Sequence, residues 1–161
     1  QRGGVYGSVT FDGKPEDTTK HTYNQAFAVY VLSSYYAASG DGEALELAGE
    51  LQQVIETRCF DQYGYREALD IDFQPADNDK LSENGVMADR TMNTLLHVFE
   101  AYTELLRVSG SGTAAEKLRW MMDLIAEKIY NPGLCRQEVF FDRDMKKVFI
   151  TAFLNDTNTR C

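Results

Sequence analysis

Two stretches of this chain repeat one another about seventy residues apart, and that recurrence limits its possible folds more than any other feature. The first runs Lys20-His21-Thr22-Tyr23-Asn24-Gln25-Ala26-Phe27 and ends in Ser39-Gly40-Asp41-Gly42. The second runs Arg90-Thr91-Met92-Asn93-Thr94-Leu95-Leu96-His97 and ends in Ser109-Gly110-Ser111-Gly112. Aligning the two Ser-Gly-x-Gly breaks places Tyr23 on Asn93, Phe27 on His97 and Tyr30 on Glu100. A helix, a glycine break and a second helix recurring at such a period mark a helical repeat or toroid. The second copy carries polar groups where the first carries aromatics, so its inner helix is the place to look for a ligand site.

Apolar residues at i, i+3, i+4 and i+7 predict four helices. The first covers about Lys20 to Ala38, marked by Tyr23, Ala26, Phe27, Tyr30 and Val31. The second covers Glu43 to Thr57, with Ala44, Leu47, Ala48, Leu51 and Ile55. The third covers about Asp89 to Val108, and the fourth about Thr113 to Tyr130, stopping before Asn131-Pro132-Gly133. Thr113 with Glu116 matches a capping box. Between these helices, Val5–Phe11 with Asp12-Gly13-Lys14-Pro15 reads as a hairpin, and Tyr63–Leu69 with Phe73-Gln74-Pro75 repeats the theme. Glu138–Asp142 is a weaker third copy. The order is therefore hairpin, αα, hairpin, αα, hairpin. Each helical pair is apolar on more than one side, so stacked pairs must form an inner and an outer row. Two pairs cannot close a ring, and the fold class predicted is all-α: an incomplete arc of an α/α toroid.

The formal charge of −9 excludes a phosphate-backbone partner, which needs a clustered basic surface. No apolar run approaches the roughly 20 residues of a membrane span. Cys59, Cys135 and Cys161 are odd in number and lack a C-x-x-C pair, so they read as reduced thiols of a cytoplasmic protein. The chain begins at Gln1 and drops at once into Gly3-Gly4-Val5-Tyr6, which reads as entry into the middle of a longer protein.

Asn93, His97, Glu100 and Glu104 fall on one stripe of the third helix. Such a stripe can be a plain solvated face. The aromatic character of Tyr23, Phe27 and Tyr30 at the equivalent positions instead points it inward, where a buried Asn–His pair needs hydrogen-bond partners that sugar hydroxyls would supply. His97 is one of two histidines, and histidine titrates near neutral pH. Tyr23 reads equally as a ligand contact or as core packing. His21 reads as an exposed residue at a helix start. Glu67, Asp70 and Asp72 resemble carboxylate pairs usable in glycosidic cleavage, although solvated surface is the simpler reading. No phosphate-binding glycine loop, nucleophile elbow or metal-spaced cluster is present in the sequence.

His21 through Tyr30 and Met92 through Tyr102 resemble the N-acylglucosamine 2-epimerase family, above all its members that act on cellobiose. Gly3-Gly4-Val5-Tyr6 leading to Phe11-Asp12-Gly13-Lys14-Pro15, and Ser39 through Ala48, resemble it too. The likeness spans residues 1–148, a partial barrel domain, and leaves 149–161 as a divergent tail. It implies an (α/α)6 barrel and a sugar isomerase whose chemistry needs no cofactor. The reaction implied opens the ring of a reducing-end glucose, removes the C2 proton and reprotonates an enediolate on the other face to give mannose. Asn93 and His97 match the family's Asn-x-x-x-His pair near the reacting end of the sugar, and Tyr23 matches a cleft tyrosine. By the same resemblance His97 has a supporting role. The principal acid/base histidines and an early arginine have no counterpart here, so the isolated chain is expected to be inactive. Its apolar flanks are expected to favour self-association. Two other classes compete: a toroidal glycoside hydrolase using Glu67 or Asp70, and a non-catalytic α/α-repeat module binding carbohydrate or protein.

Overall fold

The seventy-residue offset holds element by element. In the computed structural model, which describes residues 3–76 and 88–148, helix α1 is Thr22–Ser39 and helix α2 is Gly42–Val54. Helix α3 is Met92–Ser109 and helix α4 is Gly112–Leu124, of the same 18 and 13 residues. Both α2 and α4 continue into a five-residue π-helical turn, Ile55–Cys59 and Ile125–Ile129. The Phe60 and Tyr130 amides close these turns on the carbonyls of Ile55 and Ile125, five residues back.

The caps repeat as well. Gly40 and Gly110 end α1 and α3 in the left-handed region, at φ 74° and 67°, and donate to the carbonyls of Tyr36 and Leu106. Asp41 then caps α2 by accepting from the Glu43 amide at 3.0 Å. Ser111 caps α4 by accepting from the Ala114 amide at 3.2 Å. The capping box expected at Thr113 does not form, because Ser111 already reaches the free N–H groups and Thr113 lies within the helix.

Helix α1 packs against both α2 and α3, and α4 packs against α3, so α1 and α3 form the inner row. The face α1 buries is made of small or slender groups, Thr22, Gln25, Ala26, Val29 and Ser33. These allow close approach to Leu95, Val98, Ala101, Tyr102 and Leu105 of α3. Ile55, Leu69, Leu118, Met121 and Ile129 complete the core. Each large apolar side chain fully buried there contributes about 1.5–3 kcal/mol. Tyr30, Val31 and Tyr35 remain exposed on α1, which matches the expectation of a helix apolar on more than one side. The described residues form an arc of two helical pairs and no closed ring.

Besides the tight strand pairs Phe60–Asp61 with Gly64–Tyr65 and Tyr130–Asn131 with Arg136–Gln137, three turns at equivalent places in the described residues share one chemistry. Asp70 Oδ1 accepts from the amides of Asp72 and Gln74, both at 2.8 Å. Asp142 Oδ1 does the same for Asp144 at 2.9 Å and Lys146 at 2.8 Å. In the first hairpin Thr10 Oγ1 accepts from the Lys14 amide at 3.1 Å. Gly13, Phe73 and Met145 take the positive φ each turn requires. The third copy expected at Glu138–Asp142 thus extends through Phe140–Val148, where it repeats Ala68–Ala76.

Two boundaries differ from the sequence reading. Lys20–His21 and Arg90–Thr91 are not helical; they are short strands pairing with Ala68–Leu69 and Phe140–Phe141. The inner helices therefore start at Thr22 and Met92. In the first hairpin only Ser8–Val9 is strand, paired with Pro15–Asp17. The expected tail at 149–161 lies outside the described residues. Among the described residues no helix is long and apolar enough to cross a membrane.

Candidate functional site

Tyr23 and Asn93 are the second residues of α1 and α3, so the site residues gather where the hairpins clasp the inner helices. The clasp is built from buried polar groups immediately before each helix. Arg90, 3% exposed, donates twice from Nη2 to the Asp61 carboxylate at 2.7 Å. It also donates from Nη1 to the Gly64 carbonyl at 2.7 Å and from Nε to the Arg143 carbonyl at 2.9 Å. Burial opposes the ionisation of Asp61 and is the largest single influence, but the hydrogen bonds from Arg90, the Tyr63 amide and Arg66, with the Arg90 charge, together outweigh it and hold the carboxyl below the usual aspartate range. Lys20, the equivalent of Arg90, is buried against the Gly3 carbonyl and lies 4.4 Å from the centre of the Phe73 ring.

Glu67 is 1% exposed and stands between the two inner helices. Its Oε2 accepts from Thr91 Oγ1 at 3.0 Å and its Oε1 from Thr94 Oγ1 at 2.7 Å. Its backbone carbonyl accepts from the Thr22 amide at 3.1 Å, and its amide donates to the Asp89 carbonyl at 3.1 Å. Burial pushes its carboxyl upward, against the two threonine hydroxyls and the nearby His97 ring.

On the axis-facing side, Phe27 and His97 stack with ring centroids 4.5 Å apart. Tyr23 stands edge-on to Phe27 at 6.4 Å. His97 Nδ1 lies 3.0 Å from Glu100 Oε2, which fixes the ring and leaves Nε2 as the nitrogen able to exchange a proton or hydrogen bond with a ligand. Two turns further on, Ser34 Oγ donates to Glu104 Oε1 at 3.3 Å. The Arg107 hydrogen bonds hold Glu104 low in the carboxylate range. Phe27 and Tyr30 are each 44% exposed, and Asn93 is exposed. The result is an open face: aromatic rings on one helix, an imidazole, an amide and two carboxylates on the other.

The structure thus brings Tyr23 and His97 to one face, bridged by Phe27. It corrects three expectations. Asn93 is exposed rather than buried, because no described element covers the axis side of α3. His21 is 2% exposed rather than solvated, since its strand is clamped between Ala68 and the Tyr23 ring at 5.1 Å. Glu67 and Asp70 do not form a presented carboxylate pair: Glu67 is enclosed by threonines, and Asp70 accepts the amides of its own turn.

Sequence reasoning also missed a buried network behind the site. Glu56 Oε1 accepts from the phenols of Tyr65 at 2.8 Å and Tyr102 at 2.7 Å, and Lys117 Nζ lies 2.8 Å from Oε2. Burial pushes both phenols upward, so they stay protonated donors. Their spacing along the chain carries no local pattern that would have announced the network.

Two stacked helical pairs with an inner row bearing a polar face define a segment of an α/α toroid. Residues 1–148 match the model of N-acylglucosamine 2-epimerase (GlcNAc 2-epimerase), and the chain belongs to that family. It is 52% identical over 140 residues to a cellobiose 2-epimerase of Ruminococcus albus, covering 87% of this chain and 36% of that protein. It resembles the crystal structure of a sugar epimerase from a ruminal bacterium at 49% identity, with a TM-score of 0.89 over 92% of this chain and 38% of the other. The cellobiose 2-epimerase of Bacillus thermoamylovorans B4167 is similar at 39% identity and a TM-score of 0.86, over 92% and 39% of the two chains. The chain thus spans less than half the length of these relatives.

Proposed function

We propose that this chain is part of a sugar 2-epimerase that interconverts glucose and mannose at the reducing end of cellobiose-type β-1,4 disaccharides. The observation that carries the reading is the Phe27–His97–Glu100 arrangement on the axis-facing side, in a chain half identical to a cellobiose 2-epimerase. Tyr23, Asn93 and His97 form the sugar contacts. Phe27 offers an aromatic face to the pyranose C–H groups. His97, oriented by Glu100, presents Nε2 to a hydroxyl or carbonyl oxygen near C1 and C2 of the opened sugar. This supports proton movement in the enediolate chemistry without supplying the principal acid and base, which have no counterpart in this chain. The segment alone is therefore catalytically inactive, needs no cofactor, and works as residues 1–148 of a cytoplasmic barrel.

A hydrolase reading loses support from the enclosure of Glu67 and the turn role of Asp70. A non-catalytic binding module remains the competing class. Titration of the chain with cellobiose, followed by nuclear magnetic resonance, separates the two. Saturable shifts of the His97 ring that vanish in Asn93→Ala support the epimerase site. Shifts that are unchanged in Asn93→Ala, or that spare His97, contradict it.

A further inference from the structure

We propose that Glu67 is a positioning residue of the sugar site, a single carboxylate that sets the N-terminal turns of both inner helices against each other. The inference deepens the reading of Tyr23, Asn93 and His97 given above and rests on it. Glu67 belongs to neither inner helix. It sits in the link between strand Gly64–Tyr65, which pairs with Phe60–Asp61, and strand Ala68–Leu69, which pairs with Lys20–His21. Yet its carboxylate and carbonyl are spent on the two helix starts, and its amide on the Asp89 carbonyl just upstream of α3.

On the α3 side, the carboxylate takes one hydroxyl from Thr91 and one from Thr94. Thr91 Oγ1 at the same time accepts the Thr94 amide at 3.1 Å, as the N-cap of α3. The first turn of α3 is therefore pinned at three points, with a negative charge at its positive end. Asn93 lies between the two pinned threonines, and His97 lies one turn beyond Thr94. On the α1 side, the Glu67 carbonyl accepts the first amide of the helix, that of Thr22, while Thr22 Oγ1 donates to the neighbouring Arg66 carbonyl at 2.5 Å. Tyr23 follows directly.

The repeat shows that this pin is not needed merely to start such a helix. The residues equivalent to Thr91 and Thr94 in the first copy are His21 and Asn24, and α1 begins without a side-chain cap. There the lead-in is held by Gln25, which accepts from the Val5 amide at 2.7 Å and donates to the Val5 carbonyl at 2.8 Å. The copy bearing Asn93 and His97 has a buried carboxylate beneath its first turn, where the first copy buries the Lys20 ammonium beside its lead-in, and the electrostatic reach of His97 extends to that carboxylate. A hydroxyl-bound carboxylate is stronger and more directional than a neutral pair, which suits a site that must hold side chains to a fraction of an ångström.

The test compares the 161-residue chain with Glu67→Gln, Thr94→Val and Thr94→Ser. It reads the His97 ring-proton shifts, the His97–Phe27 cross-relaxation, and the affinity for cellobiose. In Glu67→Gln the amide N–H₂ cannot accept a threonine hydroxyl. The expected result is a cooperatively folded chain whose His97 resonances move away from the Phe27 ring current and whose cellobiose affinity falls about tenfold. Thr94→Val is expected to move the same resonances and Thr94→Ser to restore them. A Glu67→Gln chain that melts earlier with His97 shifts unchanged would overturn the proposal and leave Glu67 as a structural brace. If Glu67→Gln does not fold, the Thr94 pair decides by the same criterion. Absence of cellobiose binding in the parent chain would count against the sugar-site reading, while the His97 reporters would still decide the role of Glu67.

Discussion

Phe27 and His97 occupy the same place in the two copies, seventy residues apart in sequence, and their rings touch with centroids 4.5 Å apart. Ser34 and Glu104 are equivalent in the same sense and are hydrogen bonded at 3.3 Å, two helical turns further along. Contacts between equivalent residues, repeated along the helices, mean that α1 and α3 run parallel and in register. That is the geometry of neighbouring inner helices in a toroid, each related to the next by rotation about a common axis. The candidate residues share one face because the rotation carries the Tyr23–Phe27–Tyr30 face of α1 onto the Asn93–His97–Glu100 face of α3.

The Asp61–Arg90 clamp makes stability depend on pH. Asp61 is held below its ordinary value of 3.8, so it releases its proton more readily folded than unfolded. Its contribution is present above pH 3.8 and is lost as pH falls through the lower folded value. Glu67 acts in the opposite sense: raised above 4.5, it favours the folded chain as pH falls toward that value. Arg90→Met removes the buried partner of Asp61, leaving it Arg66 Nε at 3.1 Å, and strands two carbonyls; it is expected to cost about 3 kcal/mol at neutral pH. Denaturant titrations at neutral and acidic pH check this. The variant should lose part of the acid sensitivity expected below pH 3.8 in the parent.

The repeated caps give a paired test. Gly40 and Gly110 hold left-handed φ, so Gly40→Ala and Gly110→Ala are each expected to destabilise by about 1 kcal/mol. Gly42 and Gly112 begin helices with ordinary φ and open space around the added methyl, so alanine there is expected to be neutral or to stabilise by about 0.5 kcal/mol. Chemical denaturation of the four variants measures both differences. Equal costs at Gly40 and Gly110 would match their equal geometry.

The helical core and its register were readable because they rest on local signals: the Ser-Gly-x-Gly breaks and the 3.6-residue spacing. The strand character of Lys20–His21 and Arg90–Thr91 was not, since each depends on a partner roughly fifty residues away in sequence. Glu67 looked like a surface acid for a similar reason. Its burial comes from Thr91 and Thr94, and nothing in its own neighbourhood signals them. Asn93 and His97 were singled out through the repeat, which exposed a polar substitution on an otherwise aromatic face. The alignment placed them on the Phe27 side of α3, but the exposure of Asn93 was not legible because no described element covers that side.

Cysteine chemistry should divide sharply between positions. Cys59 is fully buried in the core, and burial pushes its thiol up to about 11, whereas Cys135 is exposed. Iodoacetamide at neutral pH is expected to modify Cys135 in the folded chain and Cys59 only after unfolding. Peptide mapping by mass spectrometry, with and without denaturant, checks the difference.

The most direct test of the central claim transplants this segment into a complete barrel. Residues 1–148 would replace the matching segment of the Ruminococcus albus cellobiose 2-epimerase, and C2 exchange of cellobiose would be followed in D2O with the product sugars resolved. The expected result is deuterium at C2 with glucosylmannose formed, reduced at least about a hundredfold by His97→Ala. A folded chimera that neither exchanges nor epimerises, or one that works equally well with alanine at position 97, would contradict the assignment.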